Sequence, residues 1–453
     1  MSVRNLLVLA AVVVSNLTYA VTDDELAVMR DKALTSTDGY DIVESLTTKV
    51  GARLAGTDAD KRAVVWAKDL LEQSGFDKVW LEPVNFPVWQ RYKETAEVLP
   101  PYEQTLHITA LGYSGSTNGA VVAEIVAFSS VEEFAQSKTD VKGKIVFINK
   151  TMLRTIDGSG YGDVVPMRYT SVLSAQQKQA AGILIRSLGT HSNRFAHTGA
   201  TTLLDNPVPA AALSPPDADQ LQRLLDLGIP VEIRLDIHVS ITPGGSSFNV
   251  IGQFNGREAP EQKALIGAHL DSWDLGTGAI DDGAGVGIVV AAAKAIMALS
   301  ERPKRSIRVV LFANEEQGLW GAKQYAEKHR ADATNHIFAS ESDFGAGRVW
   351  RFDSESKALN DSVAELLAPL AITVNLVEGE DIEKLSGGPD IGPIQDNGVA
   401  VFRLRQDGTD YFDYHHTAND TLDKIDSKAL QQNVAAWAVV AFKAANIEFD
   451  GSD

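Results

Sequence analysis

Apolar residues spaced three and four apart in DDELAVMRDKAL (23–34) and DADKRAVVWAKDLLEQSG (58–75) predict amphipathic helices, the second stopped by Gly75. KVWLEPVNFPVW (78–89) then reads as extended chain. Between about Thr105 and Thr242 the texture changes to short β-like runs, AVVAEIVAF, GKIVFIN and GILIRS, with a helical SAQQKQAAG between the last two. From SSFNVIGQFNG (246–256) onward, strands alternate with helices: KALIGAHL precedes GAGVGIVVAAAKAIMAL, SIRVVLFAN precedes GLWGAKQYAEKHR, and HIFASESD precedes SKALNDSVAELLAPL. That alternation, with strands apolar along their length, predicts an α/β fold built on a mostly parallel central sheet with helices on both faces. Residues 21–104 and 243–453 are expected to form this domain, and residues 105–242 a β-rich inserted one.

Composition narrows the chemistry. Of 453 residues 44% are hydrophobic and 22% charged, as in a globular protein, and 60 acidic against 41 basic residues give a net charge of −19. General electrostatics therefore argue against a nucleic-acid or anionic-membrane partner. The chain has no cysteine, which removes thiolate chemistry and leaves water, Ser, Thr, Lys or a carboxylate as nucleophile. Residues 1–20 carry a basic Arg4, an apolar run from Leu6 to Val14 and small residues Thr18 and Ala20, the pattern of a cleaved signal peptide, so a secreted or periplasmic protein is expected. No later stretch reads as a membrane span.

In open parallel sheets, sites lie beyond the carboxyl ends of the strands. His269 and Asp271 end the first of the alternating strands, Glu315 and Glu316 follow RVVLFAN, and Asp343 follows IFASES. Asp281 sits in the loop before a glycine-opened helix and His416 in YHHTANDT. Each alone has an ordinary reading: a strand-end histidine, a helix-capping aspartate pair, solvated residues of a first helical turn. Together they set several carboxylates and two imidazoles at one sheet edge, where like charges cannot all ionise without a compensating cation. Histidine and carboxylate donors without cysteine suit zinc best, with manganese or cobalt as alternatives. Two cations sharing one carboxylate could hold a water between them.

The ordered motifs GAHLDSWDLGTGAIDDGAG, NEEQG, ESDFGAG and YHHTANDT resemble the co-catalytic zinc exopeptidases of the aminopeptidase and glutamate carboxypeptidase family. The resemblance covers most of the chain and, through GKIVFIN and HTGA, gives the insert the look of a protease-associated domain. It implies a fold of that family and two zinc ions, with Asp281 bridging them, His269 and Asp343 completing one site, and Glu316 and His416 the other. It further implies Glu315 as general base, Asp271 fixing the His269 tautomer, and a cis peptide bond between Asp281 and Asp282. Some relatives place an oxyanion-serving tyrosine just before the last ligand, a position held here by His415. A homodimer is also implied.

The expected activity is hydrolysis of dipeptides or short peptides by metal-activated water, as a carboxypeptidase or dipeptidase. Alternatives are an aminopeptidase on longer chains, a receptor-like binding protein that shares the fold but loses metal ligands, and a single-zinc acyltransferase. For the substrate termini, Asp390 in SGGPDIGP is a candidate for an ammonium group, and Arg186 and His197 are candidates for a carboxylate.

Overall fold

The computed structural model describes residues 21–448. The expected leader, residues 1–20, lies outside them. The sequence signals act locally as expected: the helix Asp58–Ser74 starts where the Thr57 hydroxyl accepts the Asp60 amide and stops at Gly75, whose φ of 90° only glycine adopts at little cost. No helix among the described residues is long and apolar enough to cross a membrane.

The strand Ala259–His269 lies between Arg305–Phe312 and His336–Glu341, parallel to both. Successive side chains of a strand point to opposite faces, and here both faces are covered. Leu265, Val310 and Phe312 pack with Ala322 and Tyr325 of the helix Trp320–Lys328. Ala264, Ile266, Ala268, Val309 and Leu311 pack on the other face with the apolar helices Ala284–Met297 and Ser427–Asn446. That two-sided burial is why these strands are apolar throughout rather than alternating.

Register aligns the strand ends. His269 pairs with Phe312, and Gly267 with Glu341, so the segments that follow, carrying Asp271, Glu315 and Asp343, leave the sheet at one edge.

The fold is α/β with a large central sheet and helices, as expected, and the sheet is mixed. The antiparallel part is a ribbon of two long strands, Lys78–Val98 and Glu232–Phe254, that pair from Lys78 with Gln253 to Val98 with Ile233. One end of Glu232–Phe254 pairs with Arg305–Phe312, and the other with Val121–Phe128. From there Ile145–Ile148, Gly182–Arg186 and Ala210–Leu213 continue the sheet in parallel. The segment expected as an insert thus has its own parallel strands but shares one sheet with the rest. The expected boundary at residue 243 falls inside Glu232–Phe254, because a strand with Pro243, Gly244 and Gly245 at its middle looks like a linker in sequence.

Candidate metal centre

Backbone geometry gathers the site. Asp281 and Asp282 are joined by a cis peptide bond, between Gly278 and the start of the helix Ala284–Met297. Asp282 is a clasp: one carboxylate oxygen accepts the Gly285 amide at 2.9 Å, the other the His269 amide at 3.2 Å, tying strand end to helix start. A side chain at Gly285 has no room, since a Cβ would come within 1.9 Å of the Ser342 carbonyl and 2.3 Å of the Asp282 carboxylate. Arg53, wholly buried, donates to the carbonyls of Leu270, Thr277 and Gly278 at 2.5, 2.8 and 2.9 Å, bracing the same two segments from behind.

Around Asp281 the expected ligands converge. Its Oδ1 is 3.0 Å from His269 Nε2 and its Oδ2 is 3.2 Å from His416 Nε2. Asp343 Oδ1 lies 3.6 Å from His269 Nε2, and Glu316 Oε2 lies 2.9 Å from His416 Nε2. Each carboxylate oxygen of Asp281 therefore faces a different imidazole. His269 Nδ1–H donates to the Asp271 carbonyl at 3.1 Å, and His416 Nδ1–H faces the Thr198 carbonyl at 3.2 Å, so both Nε2 lone pairs point at carboxylates.

These donors fit a divalent cation. Lone pairs turned toward anions, a buried Glu316 Oε1 without a hydrogen bond, and an Asp281 Oδ2 that takes no well-aligned one all call for positive charge. The titration directions agree. Burial opposes charge on His269, yet Asp281 and Asp343 hold it well above the ordinary histidine range. His416 is pushed up to about 9, against its burial, by Glu316 and Asp281. Burial, with the neighbouring carboxylates, raises Glu315 well above the usual carboxylate range and Glu316 to about 7. Groups whose ligand atoms could hold an ion fall into two sets that share Asp281: one with His269 and Asp343, the other with His415 and His416.

His415 stacks on His416 with ring centroids 3.5 Å apart, and its Nε2 is 3.6 Å from Asp281 Oδ2. His416 differs from it in also contacting Glu316. Burial keeps His415 well below the ordinary histidine range, so it is a neutral imidazole lining the cavity.

The structure redirects several sequence expectations. The Asp271 carboxylate stands 3.8 Å from His269 Nδ1, which turns to the Asp271 carbonyl instead. The carboxylate takes the amides of Glu315 and Glu316 at 3.0 and 3.4 Å, so Asp271 orients the two-glutamate segment rather than the imidazole tautomer. Asp390 is fully buried behind the cavity lining, its amide donates to Glu341 Oε2 at 2.8 Å, and both its carboxylate oxygens lack a hydrogen-bond partner. Arg186 is spent on Asp219 and Asn149, at 2.6 and 3.2 Å. His197 is buried, with Nδ1 2.6 Å from the His415 carbonyl, and braces the histidine loop rather than a substrate.

A cavity of about 540 Å³ opens on the centre, lined by Asp281, Glu315, Glu316, Asp343, His415 and His416 and, from segment 105–242, by Tyr161, Arg168 and Tyr169. Arg168 NH1 lies 3.2 Å from His416 Nδ1 and donates to the Thr198 carbonyl at 3.4 Å, and its other amino group meets the Tyr161 hydroxyl. Arg168, Arg403 and Asp420 escaped the sequence reading; only Asp420 had a visible signal, its place in HTANDT.

A sequence model of peptidase family M28 matches residues 249–441. Carboxypeptidase Q of Homo sapiens is 34% identical over 416 residues, covering 90% of this chain and 85% of the relative. Among solved structures, a peptidase M28 precursor from Shewanella amazonensis SB2B superposes with a TM-score of 0.89 and 45% identity, over 94% of this chain and 97% of the other. The zinc aminopeptidase BSAP from Bacillus subtilis shares the fold, with a TM-score of 0.64 and 19% identity over 92% of this chain and 96% of its own.

Proposed function

The chain belongs to peptidase family M28 and is a metallopeptidase, and on that premise we propose that it is an exported exopeptidase that holds two zinc ions and hydrolyses dipeptides or short peptides. The observation that carries the count of two is the division of Asp281, one oxygen toward His269 and the other toward His416. His269 and Asp343 would complete one site, Glu316 and His416 the other, with Asp281 shared. The names of carboxypeptidase Q and of the zinc aminopeptidase support the class of reaction and of metal.

When bound, such a zinc pair supplies Lewis acidity that brings the pKa of water toward roughly 7 and polarises a peptide carbonyl. The chain's own residues do the rest. Glu315, its amide held by the Asp271 carboxylate and its side chain on the cavity wall, takes the proton of the attacking water and returns it to the leaving amine. Burial, with Asp343, Glu316 and Asp281 adding to it, raises Glu315 well above the usual carboxylate range, and cations held by those three carboxylates would offset their share. His415, neutral and on the wall, donates a hydrogen bond to the carbonyl oxygen as charge develops there. Segment 105–242 walls the cavity through Tyr161 and Arg168 and limits the length of peptide that fits. Its volume of about 540 Å³ is that of a small-ligand site, about 300–1,000 Å³.

Elemental analysis of the purified protein together with a panel of free dipeptides tests this reading. Two zinc ions per chain and dipeptide turnover are expected. A single equivalent in a fully active enzyme, or cleavage restricted to the amino ends of long peptides, would overturn it.

A further inference from the structure

Once the five expected ligands and Glu315 are set aside, the remaining charged side chains lining the cavity among the described residues are all cationic: Arg168, Lys323 and Arg403. Two of them are occupied. Arg168 is held by Thr198 and Tyr161, and the exposed Lys323 donates to the Gly318 carbonyl at 2.8 Å. Arg403 closes no hydrogen bond or ion pair among the described residues, although the carboxylates of Glu341 and Asp343 act on it through space.

Its strand sharpens the contrast. Phe402–Gln406 buries every second residue and turns Arg403 and Arg405 to the partly open face. Arg405 pairs there with Asp353. Two positions away, Arg403 reaches the cavity unpaired. The SGGPDIGP segment makes room for it: at Gly388, with φ of 129°, a Cβ would come within 3.1 Å of Arg403 NH1 and 2.6 Å of Glu341 Oε2, so a glycine leaves the gap between the guanidinium and that buried carboxylate open. The carboxylates of Glu341 and Asp343 favour its charge without bonding to it, which leaves the planar fork of the half-buried guanidinium free to take a carboxylate in the cavity with two parallel bonds.

We propose that Arg403 is the subsite for a substrate carboxylate, the free C-terminal one of a dipeptide. This rests on the exopeptidase reading above and specifies which terminus it reads. Among the described residues the acidic side chains that line the cavity are the expected ligands and the base, whereas Arg403 is a cation with no such task.

The zinc-loaded full chain, wild type, R403Q and R403K, is assayed with alanyl-leucine, alanyl-leucinamide and aspartyl-leucinamide, with zinc content and melting temperature measured in parallel. Wild type is expected to prefer the free acid over its amide by at least about 30-fold in kcat/KM, mostly through KM, the scale of one charge-assisted bidentate pair. R403Q should bring that preference close to one while zinc content and melting stay as in wild type, and R403K should restore part of it. An unchanged acid-to-amide preference in R403Q overturns the proposal, as does an equal loss on acid and amide, which marks a merely structural arginine. Sensitivity confined to aspartyl-leucinamide keeps the carboxylate subsite and reassigns its source to a side chain. Calorimetric binding of leucine against leucinamide reads Arg403 without turnover: leucine binding at least about tenfold weaker in R403Q supports the subsite even if no dipeptide is cleaved, an outcome that sinks the exopeptidase reading alone.

Discussion

The Asp420 carboxylate accepts the backbone amide of Asp281 at 3.2 Å, and its other oxygen takes the amides of Ala279 and Ile280 at 2.7 and 2.6 Å. Asp420 lies four residues beyond His416, so the loop that brings one expected ligand also holds the loop that brings the shared one. Asp420→Ala strands three buried amides and frees the Asp281 loop. Zinc affinity, read by competition with a chelator, is expected to fall roughly 10–100-fold, the scale for partners that orient metal ligands. An unchanged affinity would show that the loop is held without Asp420.

Glu315→Gln keeps the shape of the side chain and removes its basicity. Both metals should remain by elemental analysis while kcat falls by about 10²–10⁴. Near-normal turnover would remove Glu315 from the role of base.

Asp281→Ala takes away the carboxylate that faces both imidazoles. Metal content should drop along with activity, because His269 and His416 then have no shared anion between them. Full two-metal occupancy in this variant would refute the bridging assignment.

Acid lability has a source far from the centre. Arg308 donates to the Tyr325 hydroxyl at 2.8 Å, which in turn lies 2.9 Å from His336 Nε2 and donates to it, so His336 is held neutral. Burial, aided by Lys263 and Arg308, lowers His336 to about 3 from 6.5. The unfolded chain therefore binds this proton first as pH falls: the stabilisation is complete above about 6.5 and is lost progressively toward about 3. On the order of 2 kcal/mol should disappear between pH 6.5 and 5 from this group alone. Urea midpoints measured across that interval should fall in wild type and fall less in H336Q. Equal slopes would exclude His336 as the acid-sensitive group.

The alternation of strands and helices around the centre was legible because those strands are buried on both faces and end in residues that have no other reason to cluster. His269, Asp281, Glu315, Glu316, Asp343 and His416 all stand at such ends or in the loops beside them. The ribbon was not legible: Lys78–Val98 reads as extended chain only in its first half, since beyond Trp89 it turns charged, and its partner carries a Pro-Gly-Gly interruption. Arg168 sits on the helix Pro166–Gln177 and Arg403 on a strand of alternating burial, single charges with no spacing signal, and only tertiary folding brings them to one cavity. Asp271 lies two residues beyond the strand end at His269, and its side-chain partner depended on which way the two-glutamate segment turned.

The same ribbon shapes how the chain is made. As the polypeptide leaves the ribosome, Lys78–Val98 emerges long before the strand it joins, since Val98 waits for Ile233 and Lys78 for Gln253. Contacts so distant in sequence form slowly, and an unpaired strand of this length invites pairing with other chains. Segment 105–242, whose parallel strands are close neighbours in sequence, can fold in that interval and draw the two ends of its loop together. Nascent chains arrested before residue 254 therefore carry an orphan edge, and it is at this stage of synthesis that the protein is most exposed to aggregation and most in need of a chaperone.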